Sequence, residues 1–159
     1  MSEGADRPAA SDGQARRHAP AIRLHASCVA LDGRGVVLLG PSGSGKSDLA
    51  IRLIDLGARL VADDQLLVER RNGRILARPE ASLAGLVEAR GIGLLRLPFC
   101  ACSPIDLVAE LDRAERIPRW PERAAYPLLG LEVPCLRLDP RAASAPALIR
   151  LALVAERLT

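Results

Sequence analysis

Aromatic side chains are nearly absent from this chain, which has one Trp, one Tyr and one Phe in 159 residues. Its core must therefore be built from Leu, Val, Ile and Ala, a composition that suits a parallel or mixed sheet covered by helices. With 49% hydrophobic residues, the chain is long enough for one globular core and too short for two. We therefore expect a single α/β domain.

Three other missing features exclude classes of protein. No apolar run is long enough to cross a bilayer, and residues 1–20 contain charges without a hydrophobic segment, so we expect a cytoplasmic protein with no membrane partner. The net charge is +3, with basic residues scattered among acidic ones, which provides no surface for nucleic acid. The cysteine spacing fits neither paired zinc ligands nor a disulfide framework, so we expect ordinary buried thiols at Cys28, Cys100, Cys102 and Cys135.

The order of apolar and turn-forming residues divides the chain into a tail and a domain. Residues 1–20 lack apolar periodicity, which predicts a disordered N-terminal tail before a domain at 21–159. Within the domain, apolar runs predict strands, and apolar residues at helical spacing predict helices. The predicted elements are a hairpin of Ile22–Leu31 and Val36–Leu39, a helix ending at Gly57, a strand at Arg59–Ala62, a hairpin of 65–70 and 74–78, short broken segments between Pro98 and Pro140, and a helix at Ala145–Leu158.

One glycine-rich segment carries the clearest chemical signal. Between a predicted strand and a predicted helix, it fits the phosphate-binding pattern G-x-x-x-x-G-K-[ST] at every fixed position: Gly40-Pro41-Ser42-Gly43-Ser44-Gly45-Lys46-Ser47. Glycines allow positive φ, so several backbone N–H groups can face one phosphate at the positive end of the helix. Lys46 is the only lysine of the chain. Its ammonium can reach the β- and γ-phosphates of a nucleotide, while the Ser47 hydroxyl ligates Mg²⁺. A structural Gly-rich turn is the alternative.

Two acidic segments and one histidine are candidates to complete this site. Asp63 and Asp64 end a predicted strand, and phosphoryl transfer needs one carboxylate for the metal and one for the proton of the acceptor hydroxyl. Because adjacent strand residues point in opposite directions, we expect the two aspartates to differ in role; solvated turn aspartates are the alternative. Glu88 and Arg90 lie beside two glycines, where a surface ion pair would explain them equally well. His25 lies in the first strand, where a histidine is more often packed in the core than catalytic.

Taken together, these residues resemble the catalytic domain of the bacterial HPr kinase/phosphorylase, a protein serine kinase that acts on the phosphocarrier HPr of the sugar phosphotransferase system. The match extends from about Ile22 to the C-terminus. The phosphate-binding loop alone is shared by many proteins, whereas the ordered set of four segments is specific. These segments are His25 followed by Asp32-Gly33-Arg34-Gly35, the loop itself, Leu60-Val61-Ala62-Asp63-Asp64, and Glu88-Ala89-Arg90-Gly91-Ile92-Gly93.

The resemblance implies a fold, a reaction and a set of roles. The fold is a P-loop-bearing sheet with flanking helices, similar to the phosphoenolpyruvate carboxykinase nucleotide-binding fold. The reaction is ATP- and Mg²⁺-dependent phosphorylation of a serine of HPr, with dephosphorylation as a second activity, by a homo-oligomer that is often a hexamer. The implied roles are His25 and Lys46 near the phosphates, Ser47 and Glu88 on magnesium, Asp64 (with Asp63 second) as the general base, and Arg119 (with Arg116 and Arg123 as rivals) as a catalytic arginine.

This chain differs from the long members of the family in three ways. It lacks their separate N-terminal domain, so we expect a minimal catalytic module of the short α-proteobacterial type. Pro41 replaces an acidic residue of the loop. Near the end, 138–144 replaces a Pro-Gly-Arg-Asn run linked to dephosphorylation, so the expectation rests on the kinase activity. The alternatives are a small-molecule P-loop kinase or ATPase, and a non-catalytic nucleotide-sensing module.

Overall fold

The strands and helices of a computed structural model, which describes residues 20–158, follow the predicted order closely. The tail predicted for residues 1–20 lies outside the described residues except for Pro20. The elements are β1 (Ile22–Leu31), β2 (Arg34–Leu39), α1 (Lys46–Asp55), β3 (Arg59–Ala62), β4 (Gln65–Arg71), β5 (Arg74–Pro79), β6 (Leu86–Ala89), β7 (Gly93–Arg96), β8 (Ser103–Leu111), β9 (Ala124–Leu128), β10 (Leu131–Leu138) and α2 (Ala145–Val154). Neither helix within 20–158 is long and apolar enough to span a membrane.

Most strands belong to one mixed sheet of eight strands, and β6 pairs with β7 in a separate hairpin. Strand β1 pairs antiparallel with both β2 and β3, so β2 and β3 run in the same direction. Strand β8 runs parallel to β2 on one side and to β10 on the other. The carboxyl ends of β3, β2, β8 and β10 therefore lie at the same edge of the sheet, which is where open α/β sheets bind ligands.

The two faces of the sheet are covered differently. Apolar residues alternate along the strands, so that Val29, Val36 and Leu38 face a core shared with the two helices. Ala26, Cys28 and Val37 face a second core that contains residues of β4 and β5 but of neither helix. The predicted mixed α/β fold is confirmed, and both of its flanking helices lie on one face.

Two local predictions are confirmed by detailed geometry. Helix α1 ends at Asp55 and is terminated, as predicted, by Gly57, whose φ of 103° is accessible to glycine at little cost. The N–H groups of Gly57 and Ala58 donate to the carbonyls of Ile54 and Leu53, each at 3.0 Å, which is the Schellman pattern of helix termination. The turn between β4 and β5 has positive φ at both central residues, Asn72 and Gly73, as a two-residue hairpin of type I′ requires.

Two predictions of secondary structure are wrong in extent. The proline-rich segment between Pro98 and Pro140 contains the nine-residue strand β8 and the eight-residue strand β10. Its prolines are tolerated because Pro104 is the second residue of β8, and Pro134 precedes the residues of β10 that pair with β8. Helix α2 ends at Val154 rather than Leu158. There the chain turns away from the helix, and Arg123 donates to the Arg157 carbonyl while Arg157 donates to the Pro121 carbonyl.

All four cysteines are free thiols, and Cys28 and Cys135 are buried as predicted. The prediction of burial is wrong for Cys102, which is exposed, while Cys100 is half-buried. Burial raises the pKa of Cys28, and burial beside Glu110 raises the pKa of Cys135 to about 11. The two buried thiols are therefore protonated at neutral pH and pack as small apolar side chains.

Candidate active site

The glycine-rich loop predicted to bind phosphate lies between β2 and α1, at the edge where the parallel strands end. Its backbone requires glycine, since φ is 77° at Gly43 and 98° at Gly45. A Cβ added at Gly40 would lie 2.5 Å from the Ser44 hydroxyl oxygen, so a side chain at this position would displace the Ser44 hydroxyl. Gly45 is the N-cap of α1, and no side chain caps the helix. The first N–H groups of α1 are thus available to an anion.

The Lys46 side chain is buried within this loop, with a relative exposure of 6%. Its ammonium donates to the carbonyl oxygens of Gly40 at 2.6 Å and Pro41 at 3.0 Å. Burial lowers the pKa of Lys46, and the neighbouring Asp64 and Asp63 act in the opposite direction. Within the described residues, the Ser44 hydroxyl is buried without a hydrogen-bond partner. A phosphate in the loop would provide that partner and a counter-charge for the ammonium.

Asp63, which follows β3, connects the loop to β1 and β6 through hydrogen bonds. Its Oδ1 accepts hydrogen bonds from the hydroxyls of Ser47 and Ser27, each at 2.8 Å. Its Oδ2 lies 3.4 Å from the backbone nitrogen of Glu88, on β6. The contact with Ser47 joins a carboxylate to the hydroxyl that P-loop proteins use on magnesium.

These donors suit Mg²⁺ because that ion prefers oxygen ligands and retains several waters, so one or two protein groups beside substrate phosphates are sufficient. Within residues 20–158 no cluster of three His, Cys, Asp or Glu side chains is arranged to hold a metal. The Glu88 side chain is exposed, and the residue meets the site through its backbone. Ser47 and Asp63 are thus the two oxygen-bearing side chains that the fold places together beside the loop.

Asp64 makes a different contact from its neighbour. Its Oδ1 lies 2.5 Å from Nε2 of His25, and the side chains are 63% and 49% exposed. Asp64 has a φ of 66°, a left-handed conformation that aspartate tolerates better than most residues. The core-histidine interpretation of His25 is therefore wrong. The two aspartates have different partners, with Asp63 on the loop and Asp64 beside His25 at the surface.

The three candidate arginines lie in different places. The Arg119 guanidinium is 5.9 Å from the centre of the Trp120 ring, and Arg123 donates to the Arg157 carbonyl. Arg116 lies 3.7 Å from Asp112 and lines a cavity beside the glycine-rich loop. Of the three, Arg116 is the one that the fold brings to the loop.

Besides Arg116, that cavity contains residues that the sequence did not assign to a site. Its volume is about 540 Å³, and it is lined by 41–44 and by the loops that follow β8 and β10, which supply Asp112, Arg113, Arg116, Asp139 and Arg141. The sequence pattern that could have identified them is an aspartate directly after a buried strand. Asp112 follows β8 and Asp139 follows β10, just as Asp63 follows β3. The prolines obscured this signal because they predicted that the strands were broken.

Comparisons with known proteins agree on one family. The model of the HPr serine kinase C-terminal domain matches residues 16–100. The chain is 32% identical over 116 residues to the HPr kinase/phosphorylase of Clostridium tetani, covering 72% of this chain and 38% of that protein. It is 34% identical over 116 residues to that of Thermoanaerobacter sp., with the same coverage. The HPr(Ser) kinase/phosphatase structure from Coxiella burnetii superposes with a TM-score of 0.74 at 25% identity, covering 84% of this chain and 88% of that one. The chain spans 38% of the length of the curated relatives it matches.

Proposed function

The chain belongs to the HPr serine kinase C-terminal domain family, and from this premise we propose that it transfers the γ-phosphoryl group of ATP to a serine of the phosphocarrier HPr with Mg²⁺ as cofactor. The observation that carries this proposal is the contact between Ser47 and Asp63, at 2.8 Å, beside the pair of Asp64 and His25. This arrangement combines a phosphate-binding loop with two carboxylates. Asp63 lies beside the Ser47 hydroxyl, where Mg²⁺ would bind, and Asp64 faces solvent.

The donor half of the reaction rests on the loop. Backbone N–H groups of 43–47 and the Lys46 ammonium would bind the β- and γ-phosphates and stabilise the charge that develops during transfer. Ser47 and Asp63 would hold Mg²⁺, whose role is to neutralise the same charge, and Glu88 is the further candidate ligand implied by the family. The buried and unpartnered Ser44 hydroxyl supports an anion in this position.

The acceptor half rests on Asp64. Its carboxylate is exposed, so an incoming serine hydroxyl can reach it, and it would take the hydroxyl proton as the oxygen attacks the γ-phosphorus. His25, at 2.5 Å, would orient the carboxylate. Asp63 is the second candidate for the base, although its hydrogen bonds to Ser27 and Ser47 assign it more naturally to the donor half.

The remaining predictions extend this function beyond the site itself. Arg119 is the nearest counterpart by sequence of the catalytic arginine that the family implies, with Arg123 as its rival, whereas Arg116 lines the cavity beside the loop. We propose a cytoplasmic homo-oligomer with a catalytic domain at 21–159 after an N-terminal tail, and the proposal is confined to the kinase reaction because 138–144 replaces the family run linked to dephosphorylation. These assignments rest on the family and on the sequence.

The test is incubation of the protein with ATP, Mg²⁺ and purified HPr, followed by mass spectrometry of HPr. We expect one phosphoserine with the wild type, none with Lys46→Ala, and an undiminished yield with Arg150→Ala, which changes an exposed basic residue on α2. Lys46→Met, which keeps an apolar stem in the buried position, separates loss of charge from loss of fold. ATP hydrolysis without phosphorylated HPr would assign the chain to the ATPases instead, and phosphorylation by Lys46→Ala would remove the loop from the mechanism.

A further inference from the structure

The cavity beside the glycine-rich loop lies on the opposite side of the loop from the two aspartates. In the sheet, β2 has β1 and then β3 on one side, and β8 and then β10 on the other. Asp63 and Asp64 follow β3, whereas Asp112 and Asp139 follow β8 and β10. A triphosphate bound by the loop therefore has a catalytic side toward β3 and a second side toward the cavity.

The cavity wall is fixed to the loop by direct contacts. Arg52, on α1, donates to the carbonyls of Pro140 and Ala142, and pairs with Asp48 at 3.1 Å on the same helix. A Cβ at Gly45 would lie 3.4 Å from the Pro140 ring, so the two loops are in close contact. The segment after β10 is thus held against the N-terminal end of the helix that presents the phosphate-binding groups.

The two loops also have defined backbones. Asp139 accepts a hydrogen bond from the Arg141 N–H at 2.9 Å, and the Asp112 N–H donates to the Leu138 carbonyl at 2.9 Å. The Asp112 carboxylate accepts from the Arg113 N–H at 2.8 Å and lies 3.7 Å from the Arg116 guanidinium. The backbones that carry the cavity side chains are therefore held in place by hydrogen bonds.

The chemistry of the lining suits a nucleoside next to its phosphates. Guanidinium groups stack on base planes and bind phosphate oxygens, and carboxylates accept hydrogen bonds from ribose hydroxyls. Leu111 and Pro140 add apolar surface, and none of the aromatic residues lines the cavity. A volume of about 540 Å³ lies within the range of small-molecule sites.

We propose that this cavity holds the nucleoside part of the phosphoryl donor, with Arg116 and Arg141 as its main contacts. The triphosphate then extends across the loop toward Ser47 and Asp63. This inference rests on the proposed function, because it assumes a nucleotide donor. It gives the 138–144 segment, which replaces a family run linked to dephosphorylation, a role in binding the donor.

The experiment compares two ligands that share a triphosphate group, of which only ATP also has a nucleoside. Calorimetric titration of the full chain with ATP and with inorganic tripolyphosphate, each with Mg²⁺, gives a ratio of dissociation constants that reports the nucleoside contribution. We expect ATP to bind at least about tenfold more tightly, and the double variant Arg116→Ala/Arg141→Ala to bring the ratio close to one. Arg150→Ala, also an exposed arginine, should leave the ratio unchanged.

The other possible outcomes contradict either the cavity assignment or the proposed function. Equal affinities in the wild type, or a ratio unaltered in the double variant, would overturn the cavity assignment. A loss of the same factor for both ligands would also overturn it, because the arginines would then attract anions without recognising a nucleoside. Binding of both ligands by Lys46→Ala as tightly as by the wild type would instead remove the loop from the proposed function. The single variant Arg116→Gln, at an exposed position, keeps the test valid if the double variant unfolds.

Discussion

The two sides of the glycine-rich loop are built in different ways. Toward β3, Asp63 is joined to Ser47 and Ser27 by hydrogen bonds of 2.8 Å, and Asp64 meets His25 at 2.5 Å. Toward β8 and β10, exposed arginines surround an open cavity of about 540 Å³. Short contacts between fixed groups suit chemistry, in which a small displacement changes the rate, whereas an open and charged cavity suits binding.

The difference predicts that substitutions on the two sides change different quantities. A group on the β3 side should alter turnover or the metal requirement at constant nucleotide affinity. A group on the β8 side should alter nucleotide affinity first.

Replacement of Asp64 by asparagine should have the largest effect. Asparagine keeps the shape of the side chain but cannot take the acceptor proton, so we expect the rate of HPr phosphorylation to fall by about 10²- to 10⁴-fold while ATP affinity is unchanged. Single-turnover kinetics and calorimetry measure the two quantities. Asp55→Asn, an exposed aspartate on α1, is the matched control. A variant that loses ATP affinity and keeps its rate would contradict the assignment of Asp64 to the chemical step.

Replacement of Asp63 by asparagine should act through the metal. The loss of charge beside Ser47 should raise the Mg²⁺ concentration needed for half-maximal rate by about 10- to 100-fold, and saturating Mg²⁺ should restore most of the rate. Titration of the rate with Mg²⁺ separates this result from that for Asp64→Asn. If Asp63→Asn is inactive at every Mg²⁺ concentration while Asp64→Asn remains active, the roles of the two aspartates are exchanged.

Binding of ATP by the glycine-rich loop should depend on pH through the ionisation of Lys46. Because burial lowers its pKa from the usual 10.5, its ammonium loses its proton earlier than an exposed lysine. ATP affinity should therefore fall by about tenfold as pH rises through the lowered pKa. The unfolded chain binds more protons in the same window, so the contribution of Lys46 to the stability of the ligand-free protein should rise there.

As pH rises toward the usual lysine pKa of 10.5, calorimetry should show ATP affinity falling and thermal unfolding should show stability rising for the wild type, each relative to Lys46→Ala. The variant removes the titrating group and is the control for every other ionisation. Parallel trends in affinity and stability would contradict the assignment of the pH dependence to Lys46.

The sequence predicted one side of the loop better than the other for a physical reason. The loop, α1 and the hairpins follow from local signals, such as glycines that permit positive φ at Gly43, Gly45 and Gly57. Asp63 and Asp64 directly follow a short apolar strand. The arginine side depends on β2 pairing with β8, which begins more than sixty residues later in the chain, and no local pattern specifies that pairing.

Replacement of Arg52 should have the smallest effect, and that effect should be confined to the cavity side of the loop. Its guanidinium holds the carbonyls of Pro140 and Ala142 against α1, and it contributes no lining to the cavity. Arg52→Ala should weaken ATP binding by a few-fold through the displaced loop, and leave tripolyphosphate affinity and the Mg²⁺ requirement unchanged. The loss of the exposed pair with Asp48 should reduce the free energy of unfolding by less than about 1 kcal/mol.

Asp48→Ala is the control for Arg52→Ala, because it removes that pair and keeps both contacts to the loop. Calorimetry with both ligands should then show the loss for Arg52→Ala alone. If tripolyphosphate affinity falls by the same factor as ATP affinity, the contact supports the phosphate-binding loop itself. A change on the cavity side would in that case also alter phosphate binding. The reason is that Pro140, in the segment after β10, lies against Gly45 at the start of α1, so displacement of that segment would displace Gly45.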